Sequence, residues 1–346
     1  MPTTTRLVTR TVGNTGPQYD VEELYQGIRT GDRRSLARAI TLIESQRHDH
    51  RELADQLLVK LLPHTGKSLR IGLSGVPGAG KSTFAEAFGT YITDQGHRIA
   101  VLAIDPSSPK TKGSILGDKT RMEHLATNPN AYIRPTPSGC TLGGVARRTR
   151  EAMLVCEAAG YDVVLIETVG VGQSEIAVAQ MTDVFVLLLV PGGGDELQGI
   201  KKGIVELADV LVVNKADGDL ERAADRAKGS YQNALQLLYP SNSKWIPPVL
   251  KVSSLESHGI PEVWETLQDF QHVMVDEDLF EKRRMSQARD WMWSEVGDNL
   301  MEALRAHPSV NAMIASLEGE VAHSRATPSA AAKAMMEAFV KGSYRP

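Results

Sequence analysis

Two spacings of apolar residues alternate along this chain. Short apolar runs at 70–74, 99–104, 132–134, 163–166, 184–190, 210–213 and 249–252 have the length of buried strands, and helical segments separate them. Strands alternating with helices predict an α/β fold with a mostly parallel sheet, covered by helices on both faces. Before this region, 21–30, 34–45 and 49–62 show helical spacing, with Leu36, Ile40 and Ile43 on one apolar face and Pro63 as a stop signal. After Phe270 the strand signals end, and helical patterns cover 278–305, 309–322 and 329–340. The expected organisation is an N-terminal tail and helical extension (1–66), a nucleotide domain (67–270) and a C-terminal helical arm (271–346).

Composition narrows the function classes. The 346 residues are 42% apolar and 23% charged, with a net charge of -4 and no basic run, which argues against nucleic acid as a partner. The longest apolar run, 184–190, falls well short of the ~20 residues needed for a membrane span, so no membrane association is expected. Cys140 and Cys156 indicate neither a disulfide framework nor a thiolate metal site, and both are read as free thiols. Residues 1–19 lack acids and contain Thr and Arg; they are read as a disordered tail rather than a targeting segment, which puts the protein in the cytoplasm.

The chemistry begins where the first strand ends. Gly75, Val76, Pro77, Gly78, Ala79, Gly80, Lys81 and Ser82 form a complete phosphate-binding loop, with Thr83 beginning the helix behind it. Glycines turn backbone amides inward around phosphates, Lys81 reaches the β and γ oxygens, and the Ser82 hydroxyl can ligate Mg²⁺.

The base is read further along, at Asn214, Lys215, Ala216 and Asp217, after the strand 210–213. The Asp217 carboxylate can accept from N1–H and the exocyclic amine of guanine, whereas adenine presents an acceptor at N1 and would leave buried groups unpaired. Asn214 is expected to tie the strand end to the phosphate loop, with the Lys215 stem over the base. Ser253, Ser254 and Leu255 follow the last strand, either as a final guanine-contact loop or as a plain strand exit. The ligands are therefore GTP and GDP with Mg²⁺. Carboxylates for the metal are sought at strand ends and in loops: Asp105, Asp118 and Glu167, beside Ser82.

Several blocks together resemble the MeaB/ArgK family of GTPases. They are the phosphate loop, Asp105-Pro106-Ser107-Ser108, the stretch 114–122 around Asp118, the stretch 167–175 with Glu167 where many GTPases have Asp, and 195–202. The resemblance runs from about Asp32 to Trp293. It implies a P-loop NTPase of the SIMIBI class that hydrolyses GTP slowly until a partner acts. The implied client is an adenosylcobalamin-dependent methylmalonyl-CoA mutase, whose cofactor delivery it gates and which it protects or reactivates. An adenosyltransferase is a further candidate partner, and the helical arm is a dimerisation arm in a homodimer. The Gly-rich segment from Pro191 to Lys202 resembles an additional switch that senses the partner.

Hydrolysis would use in-line attack by water, with Lys81 and Mg²⁺ carrying the developing charge. Val171 stands where signalling GTPases commonly place a water-orienting Gln, so Gln173 or Lys201 is the substitute candidate, and the catalytic set is Lys81, Glu167, Gln173 and Lys201. Two other readings remain: a metallochaperone GTPase for another metal-dependent enzyme, and an ATP-dependent kinase of a transport component. The nine His are scattered and read as solvated or structural, while Arg147, Arg148 and Arg150 read as a solvated face at the start of a helix.

Overall fold

In a computed structural model of the chain, residues 19–105, 122–137, 142–168, 174–192, 202–240 and 242–343 are described. Seven strands, β1 (Leu69–Gly75), β2 (Ile99–Asp105), β3 (Ala131–Pro137), β4 (Val163–Thr168), β5 (Val184–Leu189), β6 (Val210–Val213) and β7 (Val249–Lys251), form one sheet. Its order is β3-β2-β4-β1-β5-β6-β7, and every neighbouring pair is parallel. Each strand is within a few residues of its sequence prediction.

The apolar runs carry no polar alternation because both faces of the sheet are covered. Val163 and Leu165 of β4, with Val184, Val186 and Leu188 of β5, enter one core. Val164, Ile166, Phe185, Leu187 and Leu189 enter the other. The first core is closed by α4 (Lys81–Asp94) and the helix Ile260–Asp276, through Phe84, Phe88, Leu267 and Phe270. The second is closed by α1 (Val21–Arg29), α2 (Arg33–Ile43), α3 (His48–Leu61), α6 (Leu142–Ala158) and the helix Glu221–Leu238. The short α5 (Glu123–Thr127) contributes Leu125 to the first core, and α7 (Ser174–Ala179) contributes Val178 to the second.

The N-terminal helices are therefore part of the sheet's covering rather than an appendage. Asp20 and Asp32 start α1 and α2 by accepting from backbone amides two and three residues on, at 2.8–3.3 Å.

The helix Leu279–Ala306 has 28 residues, ~42 Å at the usual rise, and only Phe280 is buried. Its first turns are clamped to the sheet's amino ends. Arg284 pairs with Asp183 at 2.6 Å, Arg283 pairs with Asp209 at 3.1 Å, and Gln287 donates to the Thr182 carbonyl at 2.8 Å. The arm then runs beside α6. Arg147 pairs with Glu151 at 3.1 Å and with Glu295 at 2.9 Å, and Arg150, itself buried, lies 5.8 Å from the Trp291 ring centre.

That arrangement corrects the solvated-face reading of Arg147 and Arg150, which sit within α6 and receive the arm's Glu295 and Trp291. The sequence showed three Arg at helical spacing without showing what lies opposite them. Beyond this contact Trp293, Leu300 and Met301 remain exposed, as do Met336 and Val340 on the last helix, Pro328–Ser343. No helix among the described residues is long and apolar enough to cross a membrane.

Candidate functional site

The carboxyl ends of β1, β4, β6 and β7 bring together the phosphate loop and the residues that the sequence offered as guanine contacts. In a parallel sheet, loops leaving strands that are adjacent in space share one edge whatever their separation in sequence. β1 runs into the phosphate loop, and Gly80 sits at the N-terminus of α4 with φ +85°, in the left-handed region. A Cβ there would come 2.7 Å from Asn214 Nδ2, so close approach as well as backbone conformation demands glycine.

Lys81 is buried, and its Nζ donates to the carbonyls of Gly75 at 2.8 Å and Val76 at 3.3 Å. Burial depresses its proton affinity, while the carboxylates of Glu167 and then Glu175 oppose that depression. The ammonium thus lies curled over the loop whose phosphates it would meet. Ser82, the next residue, donates from Oγ to Glu167 Oε1 at 2.9 Å.

Glu167 is the fifth residue of β4, which neighbours β1, and it is 7% exposed. The next residue, Thr168, donates to Ser74 Oγ at 2.9 Å and joins the ends of the two strands. Ser82 Oγ and Glu167 Oε1 stand about as far apart as adjacent ligands of a Mg²⁺ ion at 2.0–2.1 Å, so the pair fits a magnesium site completed by phosphate and water. Asp105 ends β2, but its side chain lies outside the described residues, as do Asp118, Gln173 and Lys201.

At the other end of the site Asn214 is 1% exposed and uses both ends of its amide. Its Nδ2 donates to the Ala79 carbonyl at 2.8 Å, while its Oδ1 accepts from the Ser254 amide at 3.1 Å and hydroxyl at 2.7 Å. One side chain therefore ties β6, the phosphate loop and the loop after β7. Lys215 follows at φ +59°, a conformation that costs a non-glycine residue about 1–2 kcal/mol. Its Cε lies 3.9 Å from where a Gly80 side chain would begin, so the lysine stem reaches the phosphate loop.

Asp217 is oriented by Ser253, whose Oγ donates to Oδ2 at 2.5 Å. Ser253 and Ser254 are buried while Leu255 is 80% exposed. The Ser253 and Ser254 hydroxyls hold Asp217 and Asn214, and the Leu255 side chain is largely exposed. Sequence reading gave no role to Ser74, Thr168 or Glu175; the last was legible only as an acid at the start of a short helix.

A family model described as "Methylmalonyl Co-A mutase-associated GTPase MeaB" matches residues 36–309. The chain is a MeaB-family GTPase. It is 50% identical over 332 residues to the Mus musculus protein named "Methylmalonic aciduria type A homolog, mitochondrial", covering 93% of this chain and 80% of that one. Escherichia coli K12 "GTPase ArgK" is 48% identical over 285 residues, covering 82% and 86%. Among solved structures, one titled "LAO/AO transport system kinase" superposes on this MeaB-family chain with a TM-score of 0.73 at 38% identity, over 93% of this chain and 97% of that one. The P-loop fold, guanine-nucleotide binding and GTP hydrolysis follow from this membership, and the MeaB resemblance seen in the sequence blocks is confirmed.

Proposed function

We propose that this GTPase is a chaperone of an adenosylcobalamin-dependent methylmalonyl-CoA mutase, gating cofactor delivery and protecting or reactivating the mutase. The observation that carries the reading is the family match over residues 36–309, on a chain whose Asn214 physically joins the base-reading strand to the phosphate loop. A client that changes the nucleotide site has a path to it through that brace. An adenosyltransferase is a further proposed partner, and a cytoplasmic site of action belongs to the same reading.

In this reading Lys81 moves from the Gly75 and Val76 carbonyls to the β and γ phosphates and stabilises the charge that develops on them. Ser82 and Glu167, with Asp105 and Asp118, hold Mg²⁺, which supplies charge neutralisation on the phosphates when bound. Gln173 or Lys201 orients the attacking water. The backbone from Gly75 to Thr83 cradles the phosphates, Asp217 reads guanine with Asn214, Lys215, Ser253, Ser254 and Leu255 around it, and the exposed Trp293, Leu300 and Met301 form a homodimer surface.

The kinase reading predicts ATP, which an acceptor at Asp217 disfavours. The metallochaperone reading predicts that a transition metal binds the protein and changes its turnover. A pull-down from lysate with GDP, then with a non-hydrolysable GTP analogue, tests the proposal. Retention of a cobalamin-dependent mutase that changes with nucleotide supports it. Retention of none returns the protein to a GTPase with another client.

A further inference from the structure

A cavity between α6 and the first turns of the helix Leu279–Ala306 carries polar groups that the fold leaves unmatched. Its volume is about 340 Å³, in the range that holds small organic ligands. Arg70, near the amino end of β1, lines it, so it lies toward the opposite edge of the sheet from the phosphate loop. Leu62, Met153, Leu154, Met181, Met285 and Trp291 supply its apolar wall. Met153 and Met181 are buried, whereas Leu62 and Met285 are 58% and 61% exposed, so the cavity opens onto apolar surface.

Two of the three lining arginines are engaged by the protein's own carboxylates. Arg70 pairs with Glu157 at 2.7 Å, and Arg284 pairs with Asp183. Arg150 is 8% exposed, and among the described residues it has neither ion pair nor hydrogen bond, only the Trp291 ring centre 5.8 Å from its guanidinium. Arginine is rarely buried unpaired, because its donors give up water without return. Gln287 stands four residues before Trp291 and therefore on the same face of the helix. Its Nε2 donates to the Thr182 carbonyl at 2.8 Å, which fixes the amide's orientation and leaves the buried Oε1 without a donor. Trp291 Nε1 is already occupied by Glu295 Oε1 at 3.1 Å. The lining carboxylate, Glu281, is exposed, where water and salt screen its charge.

We propose that this cavity binds an amphipathic organic anion, a medium-chain carboxylate with a hydroxyl near its head. The planar guanidinium of Arg150 matches a carboxylate with two parallel hydrogen bonds. Gln287 Oε1 needs a donor, which the hydroxyl supplies. The chain lies along the methionines, whose unbranched thioethers adapt to varied apolar shapes. A bare inorganic anion leaves the apolar wall wet, and a cationic amphiphile meets the guanidinium with like charge. Because α6 supplies Arg150 and the long helix supplies Gln287, the occupant bridges the nucleotide domain and the arm.

The test titrates the full chain by calorimetry with 3-hydroxyoctanoate, octanoate, octylamine and inorganic phosphate. Saturable binding of 3-hydroxyoctanoate is expected, about threefold or more tighter than octanoate, with no saturation by octylamine or phosphate. Arg150→Gln is expected to weaken it about tenfold or more, and Arg150→Lys to restore part of the loss, with circular dichroism confirming the folds. Ala288 lines the cavity and is exposed, so Ala288→Trp fills the space while leaving Arg150 and Gln287 in place, and it is expected to abolish binding. That variant decides the matter if the Arg150 variants unfold. Wild-type protein that binds neither acid, or that does not distinguish the two acids or binds octylamine equally well, overturns the proposal. So does an Ala288→Trp protein that binds 3-hydroxyoctanoate as tightly as the wild type.

Discussion

Asn214 Nδ2 donates to the Ala79 carbonyl at 2.8 Å, across 135 positions of sequence. The same side chain accepts from Ser254 twice, so one buried amide fixes three loops relative to one another. Asn214→Ala is expected to leave the Ala79 carbonyl and Ser254 amide without these partners and to destabilise the fold by about 2–4 kcal/mol. Urea unfolding measures that loss, and titration with GDP measures the accompanying fall in affinity.

The orientation of Asp217 by Ser253 leads to a change of base preference. Asp217→Asn replaces an acceptor with a donor, which suits the C2 carbonyl of xanthine and mismatches the C2 amine of guanine. GTP affinity is expected to fall by about 100-fold or more, with xanthosine triphosphate preferred in its place. Competition of each nucleotide against a fluorescent GDP analogue gives the comparison.

Stability should fall as pH rises from about 4.5 towards neutrality. Burial pushes Glu151 up to about 7, against the pull of Arg147, with Glu295 and Asp55 adding like charge. The folded state then holds a proton that the unfolded chain has lost above its ordinary carboxylate range. Stability from this group is full at pH 4 and declines between about 4.5 and 7, by about 3 kcal/mol at most. Glu151→Gln is expected to flatten the slope of unfolding free energy between pH 5 and 8, measured by urea denaturation at each pH.

The clamp at the start of the long helix is a buried ion pair, with Asp183 also accepting from the Arg70 amide at 2.8 Å. Removing one partner leaves the other charge buried, so Arg284→Ala is expected to cost about 3–5 kcal/mol. Thermal unfolding reads the loss, and limited proteolysis should cut after residue 280 sooner than in the wild type.

The seven strands were legible because apolar runs covered on both faces have no polar alternation to obscure them. Val210–Val213 was predicted to the residue. The phosphate loop was legible because its backbone geometry requires glycine at positions such as Gly80. What the sequence hid were relations between distant segments. Nothing local to Arg147 and Arg150 announces that Glu295 and Trp291 lie opposite them, and nothing near Glu175 marks it as buried. The hydrogen bond from the Ser253 hydroxyl to Asp217 likewise joins two loops that no local pattern connects.

Single-turnover hydrolysis of GTP, with and without a cobalamin-dependent methylmalonyl-CoA mutase, tests the central claim most directly. The account expects slow turnover alone, acceleration by the mutase, and no comparable turnover of ATP in either condition. A rate unchanged by the mutase, or ATP hydrolysed as readily as GTP, would contradict it.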